Sequence, residues 1–597
     1  MNADLRQKAH RVAIATLERT IECFEHESLF AAARRTGVRI VGACGGRGTC
    51  GSCIVRVAEG RIHREGEGTH KQWVRACRVQ PRSDLRLDIA PRSLAPVVRA
   101  DVRTGGEAQP LPLQPAVRAV ELACEPATLQ DLASDTDRVR RALRPIAPSA
   151  VDWSAAAALP GLLREHGWRV QARLRGERLV AFARPGAALL GLAVDLGTTN
   201  AAAFLIDLAD GRLLASLGLE NPQVAWGADL ISRLNHAIQH DSAAQALREA
   251  AATALNALAH DLTRAVQATP ADIADVVVCG NTAMQHLLAG WPVAQLGRAP
   301  FVAAMNEALD VPARDLGVHV SPGALLHLAP SIGGFVGGDH VTALLATEAH
   351  WQQPGTTLVM DIGTNTEISL MHDGRIWSAS CPSGPALEGG HIGSGMRAAE
   401  GAIERVRIDD DRLHLQVIGN EAPVGLCGSG VLDALAAFVR SGWVDVRGRI
   451  VTPQAGMHDG VRAITLVDET GDAPAVRFSQ HDVRAVQLAK SAIRTGVQLL
   501  AAEAGLAEAD IDRFVIAGAF GAYVSVDSAV AIGLLPPLPR ERFLQVGNAA
   551  GLGVQQMLTS TARRAHAATL AARCRYVELS SRGDFQKTFL CHIGFPS

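Results

Sequence analysis

The sequence lacks the features of a nucleic-acid-binding, membrane or disulfide-stabilised protein. Its 597 residues carry a formal net charge of only −2, with basic and acidic side chains interspersed, so no basic surface for nucleic acid is expected. No uninterrupted apolar stretch has the length of a membrane span, and residues 1–14 lack the apolar core of a secretion signal. We therefore expect a cytoplasmic protein with no nucleic-acid and no membrane partner. In that reducing compartment, the eleven cysteines are not expected to form a disulfide framework.

Four of the eleven cysteines follow a spacing that predicts an iron–sulfur centre, Cys44-x5-Cys50-x2-Cys53-x23-Cys77. A [2Fe-2S] cluster needs four thiolates, and the glycines between these cysteines would let a loop wrap closely around it. Zinc is the alternative, although zinc sites usually pair two C-x2-C units and only Cys50 and Cys53 form one here. We predict Cys44, Cys50, Cys53 and Cys77 as metal ligands and expect the seven scattered cysteines to be structural.

A short sequence segment occurs twice in the part of the chain after residue 190. Residues 192–212 read LAVDLGTTNAAAFLIDLADGR, and residues 358–375 read LVMDIGTNTEISLMHDGR. Each copy predicts a strand, a D-x-G-T turn, a second strand and an Asp-Gly hairpin turn, at Asp210-Gly211 and at Asp373-Gly374. Two copies of one supersecondary unit indicate two similar subdomains.

The two D-x-G-T turns are the candidate nucleotide-binding loops. A Gly-Thr turn between strands presents consecutive backbone N–H groups to phosphate oxygens, and threonine hydroxyls add donors. Aspartates at the strand ends can hold Mg²⁺ through water and orient an attacking water. We therefore predict Asp195 and Asp361 as catalytic residues. The predicted phosphate-binding residues are Gly197, Thr198, Thr199, Gly363, Thr364 and Asn365.

Two further segments place small residues directly after an apolar strand. Gly280 and Asn281 follow VVVC and are predicted to connect the subdomains and to contribute to nucleotide binding. Gly518 and Gly521 follow FVIA and are predicted to bind adenosine. No Walker A motif is present, which excludes a P-loop ATPase. Glu367, Glu388 and Glu400 are candidate catalytic bases, although for each an ordinary surface or loop carboxylate is the favoured interpretation. The Gly-rich stretch 384–401 is either a mobile, partner-facing loop or an internal turn.

Each half of the chain resembles a known family. Residues 10–93 resemble adrenodoxin and related ferredoxins, whose first two ligands are also five residues apart, and this implies a β-grasp fold. The interval to Cys77 is shorter than in adrenodoxin-like proteins, so a closer relative is expected elsewhere. Residues 190–560 resemble the superfamily of acetate and sugar kinases, heat-shock chaperone ATPases and actin, which implies ATP binding.

The fusion of the two halves closely resembles the reductive activators of corrinoid proteins. The likeness is carried by CGGRGTCGSC, VDLGTTN, NPQVAWGADLISRL, GNTAMQHLL, PSIGGFVGGDH, MDIGTNTEI, SGPALEGGHIGSGMRAAEGAI, VGLCGSGVLDAL, DVRAVQLAKSAI and AGAFGAY. It implies that a [2Fe-2S] cluster passes one electron to the Co(II) corrinoid of a methyl-transfer protein, restoring Co(I) with ATP and Mg²⁺. It also implies an upstream low-potential electron donor. The sequence does not fix the oligomeric state, and a homodimer is one alternative.

These observations predict a multidomain α/β and α+β protein. The expected parts are a β-grasp ferredoxin-like domain (1–93), a linker (94–115), a small α+β middle domain (116–188), and a duplicated actin-like, ribonuclease H-like ATPase domain (189–350 and 351–597). Other functions are compatible with parts of this sequence. They are an activator of another low-potential metalloenzyme, a small-molecule kinase with an accessory iron–sulfur domain, and a chaperone or sensor in which ATP only toggles binding. An oxygenase reductase is disfavoured because no flavin or nicotinamide fingerprint is present.

Overall fold

The computed structural model describes residues 8–40, 46, 48, 53–64, 73–90, 93, 98–99, 112–227, 229–239, 241–469, 475–518 and 520–596. The chain divides into two compact units, which are described separately. One unit comprises residues 1–95, 347–549 and 573–597, and the other comprises residues 96–346 and 550–572. Residues 550–572, which the sequence analysis assigns to the second ATPase subdomain, thus group with residues 96–346. Among the described helices, none combines the length and apolar character that a membrane-spanning segment requires.

The N-terminal module is a five-stranded sheet in the order β2-β1-β7-β3-β5, with β1 parallel to β7 and a helix packed on one face. Apolar residues alternate along β1 and β7, so one face of each strand is buried and the other is polar. This arrangement confirms the predicted β-grasp fold. The elements are β1 (Ala9–Ile14), β2 (Arg19–Phe24), α1 (Leu29–Arg35), β3 (Ile54–Glu59), β4 (Ile62–Arg64), β5 (Trp73–Arg75), β6 (Val79–Pro81) and β7 (Leu85–Ile89).

The middle domain is a four-stranded sheet, β10-β12-β11-β9, covered by two helices, which is the α+β arrangement predicted. Ser134 and Asp152 cap the two helices through their side-chain oxygens, and β11 and β12 form a hairpin. Within the predicted linker, β8 joins the edge of the next sheet beside β15. The elements are β8 (Val98–Arg99), β9 (Val117–Ala123), α2 (Asp135–Ala142), β10 (Ala150–Val151), α3 (Trp153–Glu165), β11 (Arg169–Arg175) and β12 (Arg178–Ala183).

The first ATPase subdomain is built on a sheet in the order β17-β18-β16-β13-β14-β15-β8. Its central parallel strands, β13 and β16, are almost continuously apolar because both of their faces are covered. The elements are β13 (Leu190–Leu196), β14 (Asn200–Asp207), β15 (Leu213–Glu220), α4 (Leu230–Gln239), α5 (Asp241–Ala265), β16 (Ile273–Gly280), α6 (Thr282–Ala289), β17 (Leu309–Pro312), β18 (Leu325–Leu328) and α7 (Gly338–Ala346).

The second subdomain repeats this plan in the sheet β29-β28-β19-β20-β21-β30. Two small three-stranded sheets, β23-β22-β24 and β25-β26-β27, and the long helix α10 surround its core. The elements are α8 (Glu348–Trp351), β19 (Thr357–Ile362), β20 (Thr366–His372), β21 (Arg375–Cys381), β22 (Ala402–Asp409), β23 (Arg412–Val417), β24 (Gly425–Leu426), α9 (Gly428–Arg440), β25 (Ala455–His458), β26 (Val461–Val467), β27 (Val476–Ser479), α10 (Gln480–Glu503), β28 (Arg513–Ala517), α11 (Val526–Ala531), β29 (Phe543–Gly547), β30 (Cys574–Tyr576) and α14 (Phe585–Cys591). Between β29 and β30 in sequence, α12 (Ala549–Thr559) and α13 (Thr561–Arg573) group with the unit that contains residues 96–346.

The repeated sequence segment corresponds to a repeated topology, with one difference at the hairpins. In each copy two antiparallel strand pairs follow one another, and a later strand runs parallel to the first. Asp373 and Gly374 form the predicted two-residue turn, both with positive φ. Asp210 and Gly211 also lie in the turn of a hairpin, between β14 and β15, as predicted. This connection is longer, with five residues (208–212), and the Asp210 side chain accepts a hydrogen bond from the Arg212 N–H.

A buried ion-pair network fixes the middle domain to the first ATPase sheet. Asp275 on β16 is fully buried and pairs with Arg175 on β11 at 2.8 Å and with Arg564 on α13. Arg175 also pairs with Asp310 at 2.8 Å. One carboxylate thereby joins three segments that are distant in sequence.

Candidate functional site: an iron–sulfur module and two nucleotide loops

The structure brings two of the predicted cluster ligands together. The Cys53 and Cys77 sulfurs lie 3.3 Å apart, Cys53 just before β3 and Cys77 just after β5. Neighbouring ligands of a [2Fe-2S] cluster need this proximity, so the donor pair fits the group. Cys44 and Cys50 lie outside the described residues. Of the seven other cysteines, five are buried (Cys23, Cys124, Cys279, Cys381 and Cys427), Cys574 is half-buried and Cys591 is exposed.

Gly48 shows why the predicted loop is rich in glycine. Its φ is +80°, and a Cβ at this position would collide with the guanidinium of Arg78. The Arg75 guanidinium donates to the Gly48 carbonyl oxygen at 2.8 Å. Two arginines that flank Cys77 in sequence thus contact the loop between Cys44 and Cys50.

The first D-x-G-T turn is held by two asparagines. Asn281 donates from Nδ2 to Thr198 Oγ1 at 2.8 Å, and its Oδ1 caps α6 by accepting from the Met284 N–H. Asn221 donates to the Gly197 carbonyl at 2.8 Å, and its own N–H donates to the Thr199 carbonyl. Asn221 is not among the site residues predicted from sequence, although the segment NPQVAWGADLISRL contains it.

A second carboxylate lies beside Asp195. Burial, and then the charge of Asp339, raise the pKa of Asp195 to about 7, and burial raises the pKa of Asp339 to about 6. The Cys279 thiol contacts Asp195 Oδ1 at 3.9 Å. Asp339, which begins α7 in the quoted segment PSIGGFVGGDH, was not predicted as a site residue. A divalent cation would favour the charged forms of both carboxyl groups.

The second D-x-G-T turn is tied to the start of the Gly-rich stretch. Thr364 Oγ1 donates to Glu388 Oε2 at 3.0 Å, and the Gly363 N–H donates to the Asn365 carbonyl. Of the candidate bases, Glu388 therefore contacts this turn. Glu367 lies on β20, where it accepts from Ser380, and the Glu400 side chain packs beside Gly419.

Gly280 and Gly518 occupy equivalent positions in the two copies. Asp195 pairs with Cys279 across β13 and β16, and Asp361 pairs with Ala517 across β19 and β28. The glycine that follows each strand lies against a backbone carbonyl, that of Leu196 in the first copy and that of Ile362 in the second, with no space for a Cβ. Gly521 lies in the turn after β28, where Gln545 Nε2 donates to its carbonyl at 2.8 Å.

The Gly-rich stretch is anchored along much of its length. Asp482 accepts from the Gly393 N–H at 2.7 Å, and Ser394 and Met396 exchange backbone hydrogen bonds with Leu426. These contacts favour the interpretation as an internal turn over a mobile loop.

Comparisons with known proteins cover every region of the chain in order. A "2Fe-2S iron-sulfur cluster binding domain" matches residues 12–82, the "RACo linker region" 106–187, the "RACo middle region" 190–352, and the "C-terminal domain of RACo the ASKHA domain" 355–597.

Two curated proteins and one solved structure are similar over most of the chain. The "Corrinoid activation enzyme RamQ" of Eubacterium limosum is 30% identical over 98% of this chain and 99% of its own length. The "[Co(II) methylated amine-specific corrinoid protein] reductase" of Methanosarcina barkeri is 24% identical over 68% of this chain and 77% of its own. The structure of a "Reductive activator for corrinoid,iron-sulfur protein" covers 98% of both chains at 30% identity with a TM-score of 0.73. The chain therefore belongs to the family of reductive activators of corrinoid proteins.

Proposed function

We propose that this protein transfers one electron to the Co(II) corrinoid of a methyl-transfer protein, regenerating Co(I), and that ATP turnover drives the transfer. The main support for this proposal is that the chain is similar over its full length to a corrinoid activation enzyme. In addition, the Cys53 and Cys77 sulfurs lie 3.3 Å apart, and the same Asp-containing turn occurs in two sheets. The partners are a corrinoid protein and an upstream low-potential electron donor.

In the N-terminal module, Cys44, Cys50, Cys53 and Cys77 would hold the [2Fe-2S] cluster. When bound, the cluster supplies a one-electron carrier. Cys53 is buried and Cys77 is half-buried, so the protein shields one side of the pair and leaves the other near solvent. Arg75 fixes the loop backbone through the Gly48 carbonyl.

In the ATPase half, the residues of the two turns would bind ATP through backbone N–H groups and threonine hydroxyls. Asp195 and Asp339 in the first copy, and Asp361 in the second, are the carboxylates that would hold Mg²⁺ through water and orient the attacking water. A cation there would offset the cost of burying these two neighbouring carboxylates, a cost that raises the pKa of Asp195 and of Asp339. Gly518 and Gly521 would leave room for the adenosine.

ATP is needed because the electron transfer is unfavourable by itself. Plant-type [2Fe-2S] centres have potentials near about −400 mV, and the Co(II)/Co(I) couple is proposed to lie lower. Each 59 mV of mismatch costs about tenfold in a one-electron equilibrium. A corrinoid protein that binds differently before and after ATP hydrolysis would shift this equilibrium toward Co(I).

The test is anaerobic and spectroscopic. Reduced protein is mixed with a Co(II) corrinoid protein, with and without ATP and Mg²⁺, and the visible spectrum is recorded. Co(I) is expected to appear only with ATP. Its absence with several corrinoid proteins would overturn the assignment.

Two variants separate the two halves. Cys53→Ser is expected to lose iron and electron delivery but to keep ATP affinity, whereas Asp361→Ala should keep its iron and lose ATP-dependent Co(I) formation. Cys23→Ser is the matched control in the same module, because burial raises the pKa of the Cys23 thiol to about 12 and its sulfur bonds to the Glu27 carbonyl. It should keep both iron and activity.

A further inference from the structure

We propose that the ferredoxin-like module receives its electrons from an acidic redox protein that docks on a basic, aromatic surface beside Cys77. This surface, the Trp73 face, consists of Arg56, Trp73, Arg75 and Arg78. The inference rests on the proposed function and adds the surface on which the electron donor docks to reduce the cluster again.

Strand register places three of these residues on one side of the sheet. Arg56 lies opposite Trp73, and Ile54 opposite Arg75, on β3 and the edge strand β5. The intervening pair, Val55 and Val74, is buried on the other side. The strand β5 leads directly into the turn that holds Cys77, and exposed Arg78 follows it. The face therefore runs up to a cluster ligand.

Trp73 is a large apolar side chain that the module leaves in solvent. It is 45% exposed, and the Arg56 guanidinium, which is also ion-paired with Asp88, lies 5.8 Å from its ring centre. Exposed tryptophan and arginine are the residue types that most often dominate binding energy in protein interfaces. A folded protein partner explains their exposure here.

The charge of the module identifies the partner as acidic. Residues 8–93 contain 16 lysines and arginines against 9 aspartates and glutamates, although the whole chain has a net charge of −2. Positive charge is thus concentrated in the redox module. Long-range attraction of an acidic protein raises its association rate at low ionic strength.

The size and composition of the Trp73 face favour the electron donor over the corrinoid protein. A small, charged surface suits brief encounters, as in electron-transfer complexes that bury little area. The donor must dock and leave for every electron. The corrinoid protein, by contrast, is proposed to remain bound while ATP is turned over.

The experiment uses the full-length protein with its cluster and an acidic plant-type ferredoxin, reduced photochemically, as donor. Stopped-flow absorbance gives the second-order rate constant of cluster reduction at several salt concentrations. The wild-type rate constant is expected to fall steeply with salt. Arg78→Glu should lower it about tenfold or more at low salt, Trp73→Ala should lower it several-fold, and Arg78→Lys should keep most of it.

Arg61→Glu is the matched control, since Arg61 is equally exposed and lies beyond the other end of β3. Iron content and the midpoint potential of each variant are measured as well. Any change in the midpoint potential is converted into a change in the equilibrium constant of electron transfer, at 59 mV per factor of ten. This shows how much of a rate change comes from driving force and how much from docking.

Three results would overturn the proposal. They are no reduction of the wild type by the acidic donor, a rate constant independent of salt, and equal effects of Arg78→Glu and Arg61→Glu. If Arg78→Glu is loaded normally but slows delivery to the corrinoid protein, the face serves the acceptor and the donor assignment is wrong. ATP-dependent Co(I) formation by chemically reduced wild type tests the proposed function separately.

Discussion

The side-chain amide of Asn281 donates to the hydroxyl of Thr198 at 2.8 Å. The same amide group caps α6 through its oxygen. The buried Asn281 side chain thus fixes the Thr198 hydroxyl, which is predicted to bind phosphate, and also fixes the beginning of α6. This links the first D-x-G-T turn to the segment GNTAMQHLL.

Asn281→Ala is therefore expected to weaken ATP binding about tenfold and to lower the free energy of unfolding by about 1–2 kcal/mol through loss of the cap. Titration calorimetry with a non-hydrolysed ATP analogue and urea unfolding measure the two effects. Asn256→Ala is the control, because Asn256 bonds to the Gly317 carbonyl and the His319 N–H, away from the turn. It should lose stability without losing affinity, and equal affinity losses would contradict the role given to Thr198.

Gly518→Ala is expected to abolish ATP binding. Its φ is +97°, and a Cβ would collide with the Ile362 carbonyl and lie 2.8 Å from Asp361 Oδ1, so the turn or the aspartate must move. Gly505→Ala shares the positive φ but meets nothing within 4 Å. It should cost about 1 kcal/mol of stability and leave affinity unchanged, which separates backbone strain from the clash. Normal ATP affinity in Gly518→Ala would show that this approach is not needed for binding.

The parts that sequence predicted well are those with local patterns. The two strand–turn–strand copies are encoded by neighbouring residues, and the structure has them where expected. The proximity of Cys53 and Cys77 was also predictable from sequence, because the spacing of the cysteines reflects the ligands that a cluster requires. The first Asp-Gly hairpin is also present, but sequence does not predict the length of its turn, because the Asp210 side chain bonds to its own turn backbone and stabilises a five-residue connection.

What sequence did not predict depends on contacts between distant segments. Asp339 is recognised as a site residue only from the structure, in which α7 places it beside Asp195. Asn221 is recognised only because its side chain donates a hydrogen bond to the Gly197 carbonyl. Likewise, nothing in the sequence near Arg564 indicates that it packs against Asp275, almost three hundred residues away. Long-range pairs of this kind leave no periodic signal in a single chain.

Asp275→Ala is expected to destabilise the protein by about 3–5 kcal/mol. The substitution leaves the buried guanidinium groups of Arg175 and Arg564 without their shared carboxylate. Thermal and urea unfolding of the full chain measure the loss, and Asp275→Ala combined with Arg564→Met should recover part of it. Glu59→Ala removes an exposed ion pair with Arg86 and should cost less than about 1 kcal/mol. Similar losses for both single variants would contradict a special role for the network.

The burial of Lys490 should make the folding stability of the chain depend on pH. Its ammonium is buried on α10, donates to the carbonyls of His592 and Gly594, and lies 5.1 Å from the Phe595 ring centre. Burial, and then the charge of Arg494, lower the pKa of Lys490 to about 8. The folded chain therefore releases this proton at lower pH than the unfolded chain.

Because the unfolded chain binds more protons between about pH 8 and the ordinary lysine pKa, the Lys490 contribution to stability rises with pH in that range. Lys490→Met lacks the titration and also loses two buried hydrogen bonds, so it should be less stable than wild type by about 1–3 kcal/mol at pH 7.5. The difference should widen at pH 9.5, where the neutral amine still donates without the cost of a buried charge. Urea unfolding at the two pH values measures it, and Lys587→Met on α14, an exposed lysine, is the control. A difference that stays constant or shrinks with pH would show that the Lys490 pKa is not lowered.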